Sequence, residues 1–102
     1  MRWLVLSTAA LLLANPALAA GDAAAGKTKS AVCAACHGAN GKAVIPTYPH
    51  LAGQRADYTE VQLKAFRDGT RANPIMAPMA KPLSDQDIAD LAAYYASLPP
   101  GG

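Results

Sequence analysis

The segment Val32-Cys33-Ala34-Ala35-Cys36-His37-Gly38 decides the fold, and it holds both cysteines of this 102-residue chain. Two thiols three residues apart, followed at once by an imidazole, place three reactive side chains within about one helical turn. Residues 23–35 are good helix formers, interrupted at Gly26, and turn-forming residues follow the segment. We therefore predict a helix that starts after the capping residue Asp22 and ends near His37.

A Cys-x-x-Cys-His sequence at the end of a helix is the attachment signature of c-type haem. Two thiols at this spacing reach the two vinyl groups on one porphyrin edge, and the imidazole of the next residue reaches the iron. We predict that Cys33 and Cys36 form thioethers to one haem and that His37 is the proximal iron ligand. A zinc site would need further ligands, a thioredoxin-like dithiol would need a surrounding βαβ unit, and an idle disulfide would leave His37 without a role.

The first nineteen residues have the features of a secretory signal peptide. Met1-Arg2 gives a basic start, residues 3–13 are almost wholly apolar, and Ala17-Leu18-Ala19 supplies the small residues of a cleavage site. The apolar run is shorter than the roughly 20 residues that a membrane-spanning helix needs. We predict cleavage after Ala19, with Ala20 as the alternative, a domain over residues 20–102, a periplasmic location and no stable membrane anchor.

A mature chain of about 80 residues buries little surface, and domains this small are usually stabilised by a disulfide, a metal or a cofactor. A disulfide that closes a four-residue loop restricts the unfolded chain very little, so a cofactor is the better candidate. The formal net charge is +2 and the chain has no run of basic residues interleaved with aromatic ones. These features argue against a nucleic-acid partner.

Two further helices are predicted in the second half of the chain. One covers residues 57–67, and the other follows Ser84-Asp85-Gln86-Asp87, which is a close relative of the capping box. Apolar residues recur at helical spacing behind this cap as far as Leu98, and Pro99-Pro100 stops the helix. We expect Gly101-Gly102 to fray.

Prolines mark two long loops, residues 42–54 and 70–83, for which no regular element is predicted. No strand pattern is present, so the sequence predicts an all-α domain of three main helices. Loops of this length in a small domain are either disordered or wrapped around something, and apolar side chains favour wrapping. Those side chains belong to Val44, Ile45, Tyr48, Leu51, Ile75, Met76 and Met79.

Several segments resemble a known family. They are Gly21-Asp22-Ala23-Ala24-Ala25-Gly26-Lys27, the Cys-x-x-Cys-His segment, Pro49-His50-Leu51-Ala52-Gly53-Gln54, Met76-Ala77-Pro78-Met79 and the last helix from Leu83 to Tyr95. Together they resemble class I c-type cytochromes of the small soluble monohaem bacterial type, and are similar to a single domain of the dihaem periplasmic cytochromes c. The resemblance covers essentially the whole mature chain. It implies a small class I cytochrome c fold, with long loops wrapped around one covalent haem and no second haem domain.

The residues themselves leave His50, Met76 and Met79 as candidates for the sixth iron ligand, and a Met thioether raises the reduction potential relative to a second His. The resemblance implies that the carbonyl of Pro49, twelve residues after His37, accepts a hydrogen bond from that imidazole. It therefore implies that His50 is a loop or surface histidine. It also implies that Met76 is the distal ligand, with Met79 as the alternative, packed near the haem edge.

Iron with both axial positions occupied has no place for a substrate, so we predict an electron carrier and not an enzyme. The expected partners are a redox-protein donor and acceptor, such as membrane respiratory complexes or periplasmic enzymes, and the expected state is a monomer. Two other functions stay open: a haem c subunit docked on a dehydrogenase or terminal oxidase, and a ligand-binding or peroxidatic haem protein with a labile Met. A thiol oxidoreductase is a more distant interpretation.

Two secondary features have both a functional and an ordinary interpretation. Gly26 could let the first and last helices cross closely, with Tyr94 or Tyr95 against it, or it could be part of simple core packing. Three polar side chains could hydrogen-bond a haem propionate or could be ordinary surface groups: Tyr48, Gln54 and Arg71.

Overall fold

The computed structural model describes residues 20–101. Its helices are α1 (Ala23–Lys29), α2 (Ala34–His37), α3 (Ala56–Asp68), α4 (Met76–Ala80) and α5 (Asp85–Ser97), and a 3₁₀ turn, Ser30–Val32, joins α1 to α2. Residues 20–101 contain no strand, so the all-α prediction is confirmed. None of the helices in this range is long and apolar enough to cross a membrane. The signal-peptide prediction concerns residues 1–19, which lie outside the described residues.

Helix α5 is the centre of the fold, because it packs against both α1 and α3. The predicted capping box starts it: the Ser84 hydroxyl accepts from the Asp87 amide at 3.0 Å, and the Asp87 carboxylate accepts from the Ser84 amide at 3.0 Å. Its buried face carries Ile88 and Leu91, and Leu91 joins a core cluster with Tyr94 and Tyr95. The helix ends at Ser97, before the two prolines, as predicted.

Helices α1 and α5 cross in close contact at Gly26. A β-carbon built on Gly26 would lie 2.0 Å from the carbonyl oxygen of Asp90 and 2.7 Å from the β-carbon of Tyr94. The close crossing therefore requires glycine, and of the two predicted aromatic neighbours it is Tyr94 that lies against it. Asp22 caps α1 as predicted, since its carboxylate accepts from the Ala24 amide at 2.9 Å.

A buried carboxylate, which the sequence reading missed, also joins these helices. Asp90 on α5 accepts hydrogen bonds from the Lys29 ammonium at 2.6 Å, the Asp22 backbone amide at 2.8 Å and the Gln86 amide at 2.9 Å. The hydrogen bonds from these donors lower the pKa of Asp90 from 3.8 to about 2, and the bond from the Lys29 ammonium has the largest effect. The signal for it was an acidic residue between the buried positions Ala89 and Leu91 of an apolar helix face.

The first predicted helix needs correction, whereas the second differs only at its ends. The single helix expected up to His37 is divided, because the Ser30 hydroxyl bonds back to the Lys27 carbonyl at 2.7 Å and the Cys33 amide bonds to the Ser30 carbonyl, which tightens the chain into a 3₁₀ turn. Gly26 does not interrupt α1. The second predicted helix, residues 57–67, is confirmed and extends by one residue at each end.

The prediction that residues 70–83 hold no regular element is wrong, because α4 lies within them and packs against α3. Asn73 holds the turn that leads into this helix, because its side-chain oxygen accepts from the amides of Ile75 at 2.9 Å and Met76 at 2.8 Å. Pro78 is compatible with α4 because it lies in the first turn, where backbone amides need no acceptor within the helix. Residues 42–54 form an irregular loop, as predicted.

Candidate functional site

A cleft of about 680 Å³ opens between the Cys-x-x-Cys-His segment, the 42–54 loop, α3 and the segment that carries α4. This volume is in the range of small-molecule and cofactor sites. All the site residues predicted from the sequence line it: Cys33, Cys36, His37, Pro49, Met76 and Met79. Tyr48, Gln54, Arg71 and His50 also line it.

The two thiols and the imidazole share one side of a helical turn. Cys33 is the first residue of this turn, and its carbonyl accepts from the amides of Cys36 at 3.3 Å and His37 at 3.0 Å. Residues three and four positions apart lie on the same side of a helix, so all three side chains face the cleft. Both cysteines are half-buried and neither forms a disulfide, and burial raises the pKa of the Cys33 thiol.

The ring of His37 is buried and held by one backbone group. Its Nδ1 lies 2.9 Å from the carbonyl oxygen of Pro49. A carbonyl can only accept, so Nδ1 carries the proton and Nε2 keeps its lone pair. An imidazole in this state can bind a metal through Nε2, and the hydrogen bond at Nδ1 strengthens that nitrogen as a donor.

Pro49 is placed by the way its loop closes. The Gly41 carbonyl accepts from the amides of Leu51 at 2.8 Å and Ala52 at 3.0 Å, so both ends of the loop meet at one oxygen. The amide of Gly53 then donates to the Tyr95 carbonyl at 2.8 Å and ties the loop to the end of α5. These bonds hold the Pro49 carbonyl beside the cleft.

Helix α4 brings two thioethers to the same cleft. Met76 is the first residue of the helix and is half-buried, whereas Met79 is 40% exposed. Both side chains line the cleft, as does Asn73, whose side-chain oxygen holds the Met76 amide. The sequence reading did not identify Asn73, although an asparagine just before a proline is a known turn starter.

Helix α3 forms a wall of the cleft that the sequence reading also missed. Five residues of this helix line the cleft, and their recurrence at helical spacing was the available signal: Tyr58, Thr59, Gln62, Leu63 and Phe66. The Arg71 guanidinium lies 4.4 Å from the centre of the Phe66 ring and donates to Gln62 at 2.7 Å. Arg71 is thus fixed beside the cleft with its positive charge.

The lining fits a large apolar cofactor. Four of the large apolar side chains that line the cleft are substantially exposed: Val32 at 62%, Ile75 at 52%, Tyr58 at 50% and Met79 at 40%. Clustered exposed apolar side chains mark a surface that binds a ligand, a protein or a membrane. Thiols, an imidazole and thioethers are the groups that attach and ligate haem c. Within residues 20–101 no three His, Cys, Asp or Glu side chains group in a way that could hold a metal ion directly.

Comparison with known proteins identifies the family. The model of the cytochrome c family matches residues 23–99. The chain belongs to the cytochrome c family. It is 56% identical over 81 residues to cytochrome c-554(548) of Halomonas halodenitrificans, which covers 76% of this chain and 98% of that protein. It is 52% identical over 85 residues to cytochrome c4 of Pseudomonas aeruginosa, which covers 83% of this chain and 42% of that protein.

Solved cytochrome structures share the fold. Reduced recombinant cytochrome c4 from Pseudomonas stutzeri superposes with a TM-score of 0.76 at 43% identity, over 81% of this chain and 48% of that one. A thiosulfate dehydrogenase electron acceptor of Thiomonas intermedia is 46% identical over 80 residues, which is 78% of this chain and 37% of that protein. The chain therefore spans less than half the length of these cytochromes c4 and of this acceptor.

Family membership confirms the predicted fold class and cofactor. The fold is that of a class I cytochrome c, the cofactor is covalently bound haem c with its iron, and the function is haem-based electron transfer. In this family the spacing of Cys33 and Cys36 fits thioether attachment.

Proposed function

We propose that this protein carries single electrons in the periplasm through one haem c, attached at Cys33 and Cys36 and ligated by His37 and Met76. One observation carries the proposal: the cleft that contains the thiols is lined both by an imidazole with Nδ1 hydrogen-bonded to Pro49 and by a half-buried Met thioether. An imidazole and a Met thioether are the pair of groups that ligate the iron in a closed, low-spin haem c site.

The chain's own residues would do three things for electron transfer. Haem c supplies a one-electron couple between ferric and ferrous iron. His37 and Met76 would be the protein ligands of the iron and would leave no place on it for a substrate, while the apolar side chains of Leu63, Phe66 and Leu91 would exclude water. The thioether of Met76 would raise the reduction potential relative to a second histidine.

Met76 is preferred to Met79 because of burial. A distal ligand must lie inside the cleft, and Met76 is the more buried of the two and is held by Asn73, whereas Met79 is 40% exposed. We expect Met76→Leu to lose the near-infrared sulfur-to-iron band of the oxidised holoprotein and to bind carbon monoxide when reduced. The matched variant Met79→Leu should keep the band and bind none. The reverse pattern would assign the ligand to Met79, and carbon monoxide binding by the wild type at neutral pH would favour the ligand-binding alternative.

We also propose that the mature protein begins at Ala20, after removal of the leader formed by residues 1–19. The support is the order of basic, apolar and small residues in that leader. Expression of the full chain in a Gram-negative host, followed by osmotic shock and intact-mass measurement, tests this proposal. A periplasmic holoprotein that starts at Ala20 is expected, and retention of Met1 on membrane-bound protein would contradict it.

The partners we propose are an electron-donating and an electron-accepting protein, met one at a time through a small interface of under about 1,200 Å². The similarity to a thiosulfate dehydrogenase electron acceptor supports a dehydrogenase as the donor, and it keeps open a haem subunit docked permanently on such an enzyme. Gel filtration of native periplasmic extract with detection of haem separates the two. A free carrier elutes at the size of the monomer, and a docked subunit elutes with its enzyme.

A further inference from the structure

His50, which no part of the proposed iron coordination uses, makes a specific backbone contact. The amide of Ala43 donates to Nδ1 of His50 over 2.8 Å. A backbone amide can only donate, so Nδ1 is the acceptor and the proton of the neutral ring is on Nε2. Next to the ring lies Gly101, where a β-carbon would come within 2.9 Å of Cγ of His50. Gly101 thus lies beside the His50 ring, and Gly102 lies outside the described residues.

The hydrogen bond between Ala43 and His50 lies next to the Pro49 carbonyl in the loop. Three consecutive residues are each held by a hydrogen bond: Pro49 accepts from His37, His50 accepts from Ala43, and Leu51 donates to Gly41. The His50 bond ties the segment that follows Gly41 to the peptide that carries the Pro49 carbonyl. It therefore crosses the loop next to the oxygen that orients the His37 imidazole.

We propose that His50 is a positioning residue for the iron site. By holding the Ala43 amide, its Nδ1 keeps the Pro49 carbonyl 2.9 Å from Nδ1 of His37 and thereby sets the donor strength of the proximal imidazole. The inference rests on the proposed function, because it takes His37 as the axial ligand.

The direction of the effect follows from the bond that His50 supports. If the Pro49 carbonyl moves away, the hydrogen bond from Nδ1 of His37 weakens and Nε2 becomes a poorer electron donor. Electron donation from the imidazole stabilises ferric iron more than ferrous iron. A poorer donor reduces this difference, so the reduction potential rises. The His50 bond is exposed to solvent, so its loss should loosen the loop without unfolding it.

The test compares an alanine with an asparagine at this position, because the side-chain oxygen of asparagine lies about where Nδ1 of histidine does. In potentiometry of the purified holoprotein, His50→Ala should lower the ratio of oxidised to reduced protein at a fixed potential about threefold. This corresponds to a rise in the reduction potential of about 28 mV for a one-electron couple. His50→Asn should remain at the wild-type potential. Val44→Ala, in the same loop and 90% exposed, is the control and should also leave it unchanged.

Two results would overturn the inference: an unshifted potential in His50→Ala, or equal shifts in His50→Ala and His50→Asn. If His50→Ala yields no holoprotein, His50→Gln replaces it, since its acceptor lies one bond farther from the backbone and should not restore the potential.

Through-hydrogen-bond NMR coupling between the Ala43 and His50 nitrogens in reduced wild-type protein measures the contact directly, and its absence would also refute the inference. A spectrum without His/Met ligation would refute the proposed function instead, so the two failures are distinguishable.

Discussion

Replacement of Gly26 by alanine is the sharpest test of how the two terminal helices are packed. The new β-carbon would lie 2.0 Å from the Asp90 carbonyl oxygen, and contacts under 3.0 Å are essentially never seen for β-carbons. The helices must therefore separate by about 1 Å, since neither the carbonyl nor the Tyr94 β-carbon, at 2.7 Å, belongs to the flexible end of a side chain.

The size of the effect combines two opposing terms. Alanine in place of glycine in a helix stabilises by up to about 1 kcal/mol through helix propensity. Overpacking of a tight contact costs about 1–3 kcal/mol or more, and here the clash is with backbone, so the upper part of that range applies. Separation would also stretch the bonds that join Lys29 and Asp22 to Asp90. We expect a net loss of about 2 kcal/mol, or about 8–16 °C in melting temperature for a domain of this size.

Thermal unfolding of the holoprotein, followed by far-UV circular dichroism at pH 7, measures this loss. Ala24→Gly is the matched control, because Ala24 is exposed on the same helix and its replacement removes only helix propensity, which costs about 0.5–1 kcal/mol. Gly26→Ala should lose more than this control. If Gly26→Ala melts at or above the wild-type temperature, the close crossing does not exist as described.

Two further predictions concern side chains of helix α5 and its cap. Ser84→Ala removes the reciprocal cap with Asp87 and should lower the free energy of unfolding by about 1 kcal/mol in denaturant titration; an unchanged midpoint would mean that water replaces the cap at no cost. The pKa of Asp90 is lowered to about 2 by Lys29 and its other donors, so its contribution to stability is present above about pH 4 and is lost as the pH falls towards 2. Asp90→Asn should therefore be less stable than wild type at pH 7, and its stability should fall less than that of wild type between pH 5 and pH 2; parallel curves would contradict this reasoning.

Local patterns in the sequence were sufficient where one short segment determines the structure. The Cys-x-x-Cys-His motif predicted three side chains on one helical turn, and the capping box predicted the start of α5 to the residue. The carbonyl of Pro49 lies where the family resemblance implies, 2.9 Å from the His37 ring. Each of these features depends on residues close in sequence or on a pattern shared with relatives.

Features that depend on distant pairs were not predictable in the same way. Asp90 is a poor candidate for a buried residue until its partner Lys29, 61 positions earlier, is known to reach it. Helix α4 was missed because three prolines in residues 70–83 outweigh the hydrogen bonds from the Ile75 and Met76 amides to the Asn73 side chain, which become apparent only in three dimensions. The position of Gly101 beside His50 likewise has no local signal in the sequence.

The size argument made from the sequence also explains where the apolar side chains lie. The protein core proper is narrow: Ile88 and Leu91 are its largest fully buried side chains, and both belong to α5. Many of the remaining apolar groups line the cleft, where Val32 and Ile75 stay more than half exposed to solvent. Protein contacts alone therefore leave much of the apolar surface of this small domain uncovered, and a covalently bound haem is what can bury it. On this reasoning the Cys-x-x-Cys-His segment supplies the redox centre and also completes the core on which the fold depends.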